Sequence, residues 1–186
     1  MTSTTTIPCP SLEGGILGTT DLSAILGEIR TNYGKLVRGG YIHGLMICDA
    51  DARVLAIDPL FDGKISTWDL AALAAAAFGV ARQTRLFFSA LGAKELERAS
   101  FVFDGMQLFV AQAGKITTGQ AKPRDLLLVT LAGKDANFGL ISLQMRKAVP
   151  RVQKVVEDAA KHQDLDISEQ ELHTMLESAR AGGMFK

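Results

Sequence analysis

Apolar and polar positions repeat along this chain with a period that changes from segment to segment, and each change marks an element. Residues 1–20 are rich in Thr, Ser, Gly and Pro and follow neither a period of 2 nor one of 3.6, which predicts a flexible tail. From Asp21, an N-cap type, Leu22, Ile25, Leu26 and Ile29 recur at helical spacing until Gly34 and Gly39-Gly40 offer stops. Residues 42–48 (IHGLMIC) and 53–57 (RVLAI) are short apolar runs around Asp49-Ala50-Asp51-Ala52, whose Asx side chains favour a turn, so they predict a hairpin. Ser66-Thr67-Trp68-Asp69 has the form of a capping box with Asp in place of Glu, and it opens an Ala-rich helix over residues 70–91.

Residues 96–103 and 106–112 meet at Asp104-Gly105, a pair suited to the positive φ angles of a type I′ turn. The stretch 114–125 has no period and predicts a loop, whereas 126–131 (LLLVTL) is bare enough to be a central strand. After Gly133-Lys134-Asp135, the residues Phe138, Ile141, Met145, Ala148, Val152, Val155 and Ala159 step by three and four, one stripe of a long helix with a kink expected at Pro150. Ser168-Glu169-Gln170-Glu171 is a full capping box ahead of Leu172, Met175, Leu176 and Ala179, which predicts a short C-terminal amphipathic helix. Strands joined by tight turns make the sheet largely antiparallel, so the fold class is α+β with helices on both faces.

Composition narrows the function classes. The 186 residues suit one domain with extensions: a tail over 1–20, a domain over 21–162 and an extension over 163–186. Twenty Lys and Arg balance twenty Asp and Glu, so no net field draws the whole molecule to nucleic acid or an anionic membrane. The longest strongly apolar run, 70–81, is short of the roughly 20 residues a membrane span needs, and no leader pattern opens the chain, so a cytoplasmic protein is expected. Cys9 and Cys48 form no disulfide framework and no zinc pattern.

The motifs of catalysis are missing. Gly133-Lys134 and Gly63-Lys64 lack the glycine and hydroxyl that a P-loop places around phosphate, and Gly14-Gly15 with Gly18 has the wrong spacing for a dinucleotide fingerprint. Asp49-x-Asp51 starts like a calcium loop but continues with Arg53 and Val54, and His43, His162 and His173 are too dispersed for zinc. No Gly-x-Ser-x-Gly elbow occurs. We therefore expect no catalytic residue, cofactor or metal. Arg82 and Arg85 among apolar residues, and Trp68 in the first helical turn, are candidates for binding a partner, set against a solvated face and a packed core edge.

The segments GLMICDADARVLAID, DLAALAAAAFGVARQ, FVFDGMQLFVA and, above all, LLLVTLAGKDANFGLISLQMRKAV resemble the Roadblock (dynein light chain) family over about residues 21–156. The resemblance implies a five-stranded antiparallel sheet between helices, akin to the profilin and longin folds. It further implies a homodimer joined through third strands and second helices. Carried onto this chain, the interface residues are Leu70, Leu73, Ala74, Ala77, Phe78, Ala81, Ser100, Phe101 and Val102. Prokaryotic members act with Ras-like small GTPases, as scaffolds or as activators needing no catalytic residue of their own. The expected function is thus a non-enzymatic interaction module that regulates such a GTPase; a small-ligand sensor, or an assembly adaptor with no GTPase partner, is the alternative.

Overall fold

A computed structural model describes residues 19–92, 95–117 and 122–163. The predicted tail up to residue 18 and the predicted helix around 168–179 lie outside the described residues. The order is α1 (Thr19–Leu36), β1 (Ile42–Asp49), β2 (Val54–Ile57), α2 (Thr67–Gln83), α3 (Arg85–Phe88), a 3₁₀ turn (Ser89–Leu91), β3 (Arg98–Phe103), β4 (Met106–Ile116), β5 (Arg124–Gly133) and α4 (Phe138–Gln163). One sheet runs β2-β1-β5-β4-β3, with every neighbouring pair antiparallel.

The bare LLLVTL run is the middle of the central strand. Because successive strand side chains point to opposite faces, Leu126 and Leu128 enter a core beneath α1 and α4 with Leu26, Ile29, Leu45 and Ile141. Leu127 and Val129 enter a second core beneath α2 with Met46, Cys48, Leu70 and Phe78. Helix α1 is tied to the rest of the molecule by polar contacts in its second half. Arg30 pairs through Nε with Asp58 and donates through Nη1 to the Ile42 carbonyl at 2.5 Å. The Tyr33 hydroxyl accepts from the Asn137 amide at 2.9 Å, ahead of α4.

Four local expectations are corrected. Helix α1 begins at Thr19, two residues before Asp21. The second helix does not reach residue 91: it ends at Gln83, where the Thr84 hydroxyl donates to the Ala81 carbonyl at 2.6 Å and competes with the helical ladder. A single turn, α3, and the 3₁₀ turn follow, closed by Gly92 at φ 82°. At the Asp104-Gly105 loop only Gly105 has a positive φ (83°), so the turn is not type I′. The turn is held from outside the hairpin, for the Lys134 amide, just past the end of β5, donates to the Gly105 carbonyl at 3.0 Å. Finally, the expected loop over 114–125 is strand at its two ends, since β4 runs to Ile116 and β5 starts at Arg124: Lys115 pairs Asp125 and Ile116 pairs Arg124 beyond a bulge that starts after Gln112. Gly114 supplies φ 105° at that bulge, which breaks the period on which strand recognition depends. Helix α4 continues through Pro150.

Candidate interaction surface

Helix α2 starts where its sequence says it should. The Ser66 hydroxyl accepts from the Asp69 amide at 3.2 Å, satisfying one of the free donors of the first turn. The helix then turns Leu70, Ala71, Ala74 and Phe78 onto the sheet. Of the residues carried over as interface, Leu70, Ala74 and Phe78 are thus enclosed in the protomer's own core and present nothing to a partner. Ala77 and Ala81 are half-buried, and Leu73 is exposed. At 100° per residue, Leu73, Ala77 and Val80 share one flank of α2, while Trp68 and Arg82 lie well around on the other. Val80, 66% exposed, was not among the candidates. Between Asp69 and Arg82 the helix carries no charge.

Strand β3 borders the sheet. Six consecutive residue pairs join it to β4 without a bulge, and its outer side has no strand beside it among the described residues. Phe101 turns inward against the α2 core, whereas Ser100 and Val102 are exposed. From Ala99 to Phe103 there is no charge and no proline. The other edge differs: β2 has four residues, pairs through a bulge, and is followed by Asp58-Pro59. Natural sheets usually protect edges in the manner of β2; β3 is left open.

Among the described residues, nine of the fifteen exposed large hydrophobics fall between Trp68 and Phe103. Phe87 and Leu91 are each 83% exposed, and Leu86, Phe88 and Phe103 are also on the outside. The Leu86–Leu91 ledge escapes a reading of the sequence because it continues the pattern of the Ala-rich helix. Its signal is the packing of Leu86-Phe87-Phe88 into three successive positions, which no single helical face can bury.

The partner-binding candidates separate. Trp68 is exposed, as an anchor requires. Arg82 is committed within the fold: its Nη1 pairs with Asp125, and Gln112 donates to the other oxygen of that carboxylate at 2.8 Å. It pins the end of α2 to the start of β5. Arg85 opens α3, and its side chain lies outside the described part of the structure.

Elsewhere the polar groups serve the fold. Asp49 accepts from the Asp51 and Arg53 amides, both at 2.9 Å, and pairs with Arg124 at 2.9 Å, which makes it an Asx-turn residue. His43 stands 3.5 Å from Asp62, whose carboxyl is held below its ordinary range by the Lys64 amide and, secondarily, by His43. Burial pushes the Cys48 thiol up to about 12, with the Asp49 charge adding to the effect. No group of His, Cys, Asp or Glu suited to a metal ion occurs among the described residues. None of the helices there is long and apolar enough to cross a membrane. Beside α4, Glu97, Arg98, Lys115, Met145 and Arg146 border a groove of about 370 Å³.

No protein-family model matches the sequence, and no curated protein matches it. Solved structures do. The gliding protein MglB of Thermus thermophilus is 21% identical with a TM-score of 0.58, over 81% of this chain and 99% of that one. MglB of Myxococcus xanthus is 15% identical with a TM-score of 0.55, over 82% and 96%. A Roadblock/LC7 domain from Streptomyces avermitilis is 20% identical with a TM-score of 0.52, over 69% and 95%. The chain therefore has the Roadblock/LC7 fold, five antiparallel strands held between α2 on one face and α1 with α4 on the other.

Proposed function

We propose that this chain is a homodimeric interaction module, without an active site of its own, that binds and regulates a Ras-like small GTPase in the cytoplasm. One observation carries the reading: a Roadblock/LC7 fold that leaves an uncharged α2 flank, with Leu73 and Val80 exposed, and an unprotected β3 edge. A strand edge of that kind asks for a second strand, and two-fold pairing of β3 with its own copy extends the sheet across the dimer. Leu73, Ala77, Ala81, Ser100 and Val102 then belong to the interface, and Phe101 lies beneath it. Trp68 and Arg85 remain for the GTPase, with 1–20 and 163–186 as extensions that choose the partner. Arg82, tied to Asp125, positions α2.

Light scattering tests both halves of the proposal. The protein is sized alone and then mixed with Ras-like GTPases loaded with GDP or a GTP analogue. We expect a dimer that shifts with the GTP-analogue form, and an unchanged hydrolysis rate in that complex would identify a scaffold. A monomer at micromolar concentration that ignores every GTPase refutes the reading. The groove beside α4 favours a small-ligand sensor as the second reading, and a ligand-dependent rise in melting temperature would support it.

A further inference from the structure

The ledge formed by α3 and the 3₁₀ turn has no partner within the described protomer, although Phe87 and Leu91 are the most exposed of its large apolar side chains. Aromatic side chains left in water at this density mark a contact surface. The four ledge residues Leu86, Phe87, Phe88 and Leu91 present on the order of 500 Å² of apolar surface, at the upper end of the few hundred Å² of the largest patch on an ordinary monomer. That is more than half of the roughly 800 Å² each partner contributes to a standard interface, and the β3 edge supplies the rest.

The topology says what covers the ledge. Helix α2 ends where Arg82 meets Asp125, at the end of the sheet where β5 begins. Strand β3 also begins at that end, because Arg98 pairs Ala111 and the Glu97 carbonyl accepts from Gln112, whereas its last residue, Phe103, pairs Met106 at the opposite end. The ledge, joined to both α2 and β3, therefore sits at the end where β3 starts. Arg82 turns its flank of α2 towards β5, so the opposite flank, with Leu73 and Val80, looks towards the free edge. A two-fold axis that pairs β3 with a second β3 runs the two strands antiparallel. The start of one strand then lies beside the end of the other, on the same face of the joined sheet.

We propose that the Leu86–Leu91 ledge of each protomer seats on the β3 end of a second copy, against Phe103, so that two reciprocal aromatic contacts flank the strand pairing. This rests on the β3 dimer proposed above and adds its hot spot. Phe103 follows Phe101 by two residues and so shares its face, the face covered by α2. The second copy thus offers an exposed aromatic ring on the side where the ledge stands. A two-fold axis doubles each contact, which lets a short edge strand hold a stable dimer.

Sedimentation analysis of the full chain and of Phe87→Ser, Phe103→Ser and the double variant tests the assignment. Both side chains are on the surface, so each variant should melt close to the parent at a concentration where the parent is monomeric. The expected result is dimer dissociation weakened about 100-fold by either change, with the double variant far short of the product of the two. A dimer whose dissociation constant stays within about threefold in Phe87→Ser overturns the ledge contact and leaves the β3 reading standing. Fully multiplicative losses overturn the pairing of Phe87 with Phe103. A parent chain that never dimerises removes both readings. For a variant that melts low, Phe87→Leu serves instead; it keeps apolar area and is expected to restore most of the affinity.

Discussion

Replacing Asp58 by Asn isolates the contact on which α1 is anchored. Asp58 is 1% exposed, accepts the Leu60 amide at 3.2 Å through one carboxylate oxygen and pairs with Arg30 through the other. The Arg30 side chain is 13% exposed, and its buried Nη2 makes no hydrogen bond among the described residues, so the guanidinium already lies one partner short there. An Asn oxygen can keep the Leu60 amide, but its NH₂ would face the Arg30 Nε–H, donor against donor. Breaking a buried ion pair from one side costs about 3–5 kcal/mol because the other charge stays behind. Arg30 keeps the Ile42 carbonyl and a margin of solvent, which puts the loss near the lower bound, about 3 kcal/mol. For a domain of this size that corresponds to a fall in Tm of about 6–12 °C. Urea unfolding and calorimetry of Asp58→Asn, Arg30→Met and the double variant measure it, and the double should cost about 2 kcal/mol less than the sum of the singles. A loss below about 1 kcal/mol in Asp58→Asn, or strict additivity, would refute the assignment of this pair as the anchor of α1.

Three other sites carry expectations of their own. The Cys48 thiol, raised from 9.0 to about 12, stays protonated in the fold where the unfolded chain ionises, so stability falls as pH rises above about 9; in a Cys9→Ser background, alkylation at pH 8 should wait on unfolding, and rapid labelling of the native protein would contradict this. Gly40 has φ 82°, and a Cβ there would come within 2.5 Å of the Ala136 Cα, so Gly40→Ala should cost at least about 2 kcal/mol in denaturant titration, whereas Gly39→Ala, with open space around it, should be nearly neutral. The buried Thr130 hydroxyl makes no hydrogen bond among the described residues, and Thr130→Val should therefore raise stability by about 1 kcal/mol; a loss would show that the hydroxyl has a partner.

Much of this protein is written locally. The apolar period of α1 and α4, the hydroxyl cap at Ser66, the Asx turn at Asp49 and the uninterrupted LLLVTL strand each depend on residues a few positions apart, so they can be read before any fold is known. The order of these elements, with the resemblance of the GKDAN segment and its flanks, was enough for the Roadblock/LC7 architecture. What sequence could not decide depends on which distant residue arrives alongside. The turn at Gly105 is held by the Lys134 amide, helix α2 stops where Thr84 takes the Ala81 carbonyl, and the strands run past the bulge at Gly114 because β4 and β5 pair there.

The candidate surface shows the same division more sharply. Leu70, Leu73, Ala74, Phe78 and Val80 are all apolar residues on one Ala-rich helix, and composition cannot sort them. Seating α2 on the sheet buries Leu70, Ala74 and Phe78 and leaves Leu73 and Val80 outside. Arg82, which reads as a free cation, becomes a structural tie once the chain brings Asp125 beneath it, 43 residues on. Periodicity encodes which faces are apolar, because neighbours along the chain share a helix or a strand. Exposure of those faces is set by the angle at which one element lies on another and by which strand is left at the edge, and both arise only when the whole chain has packed.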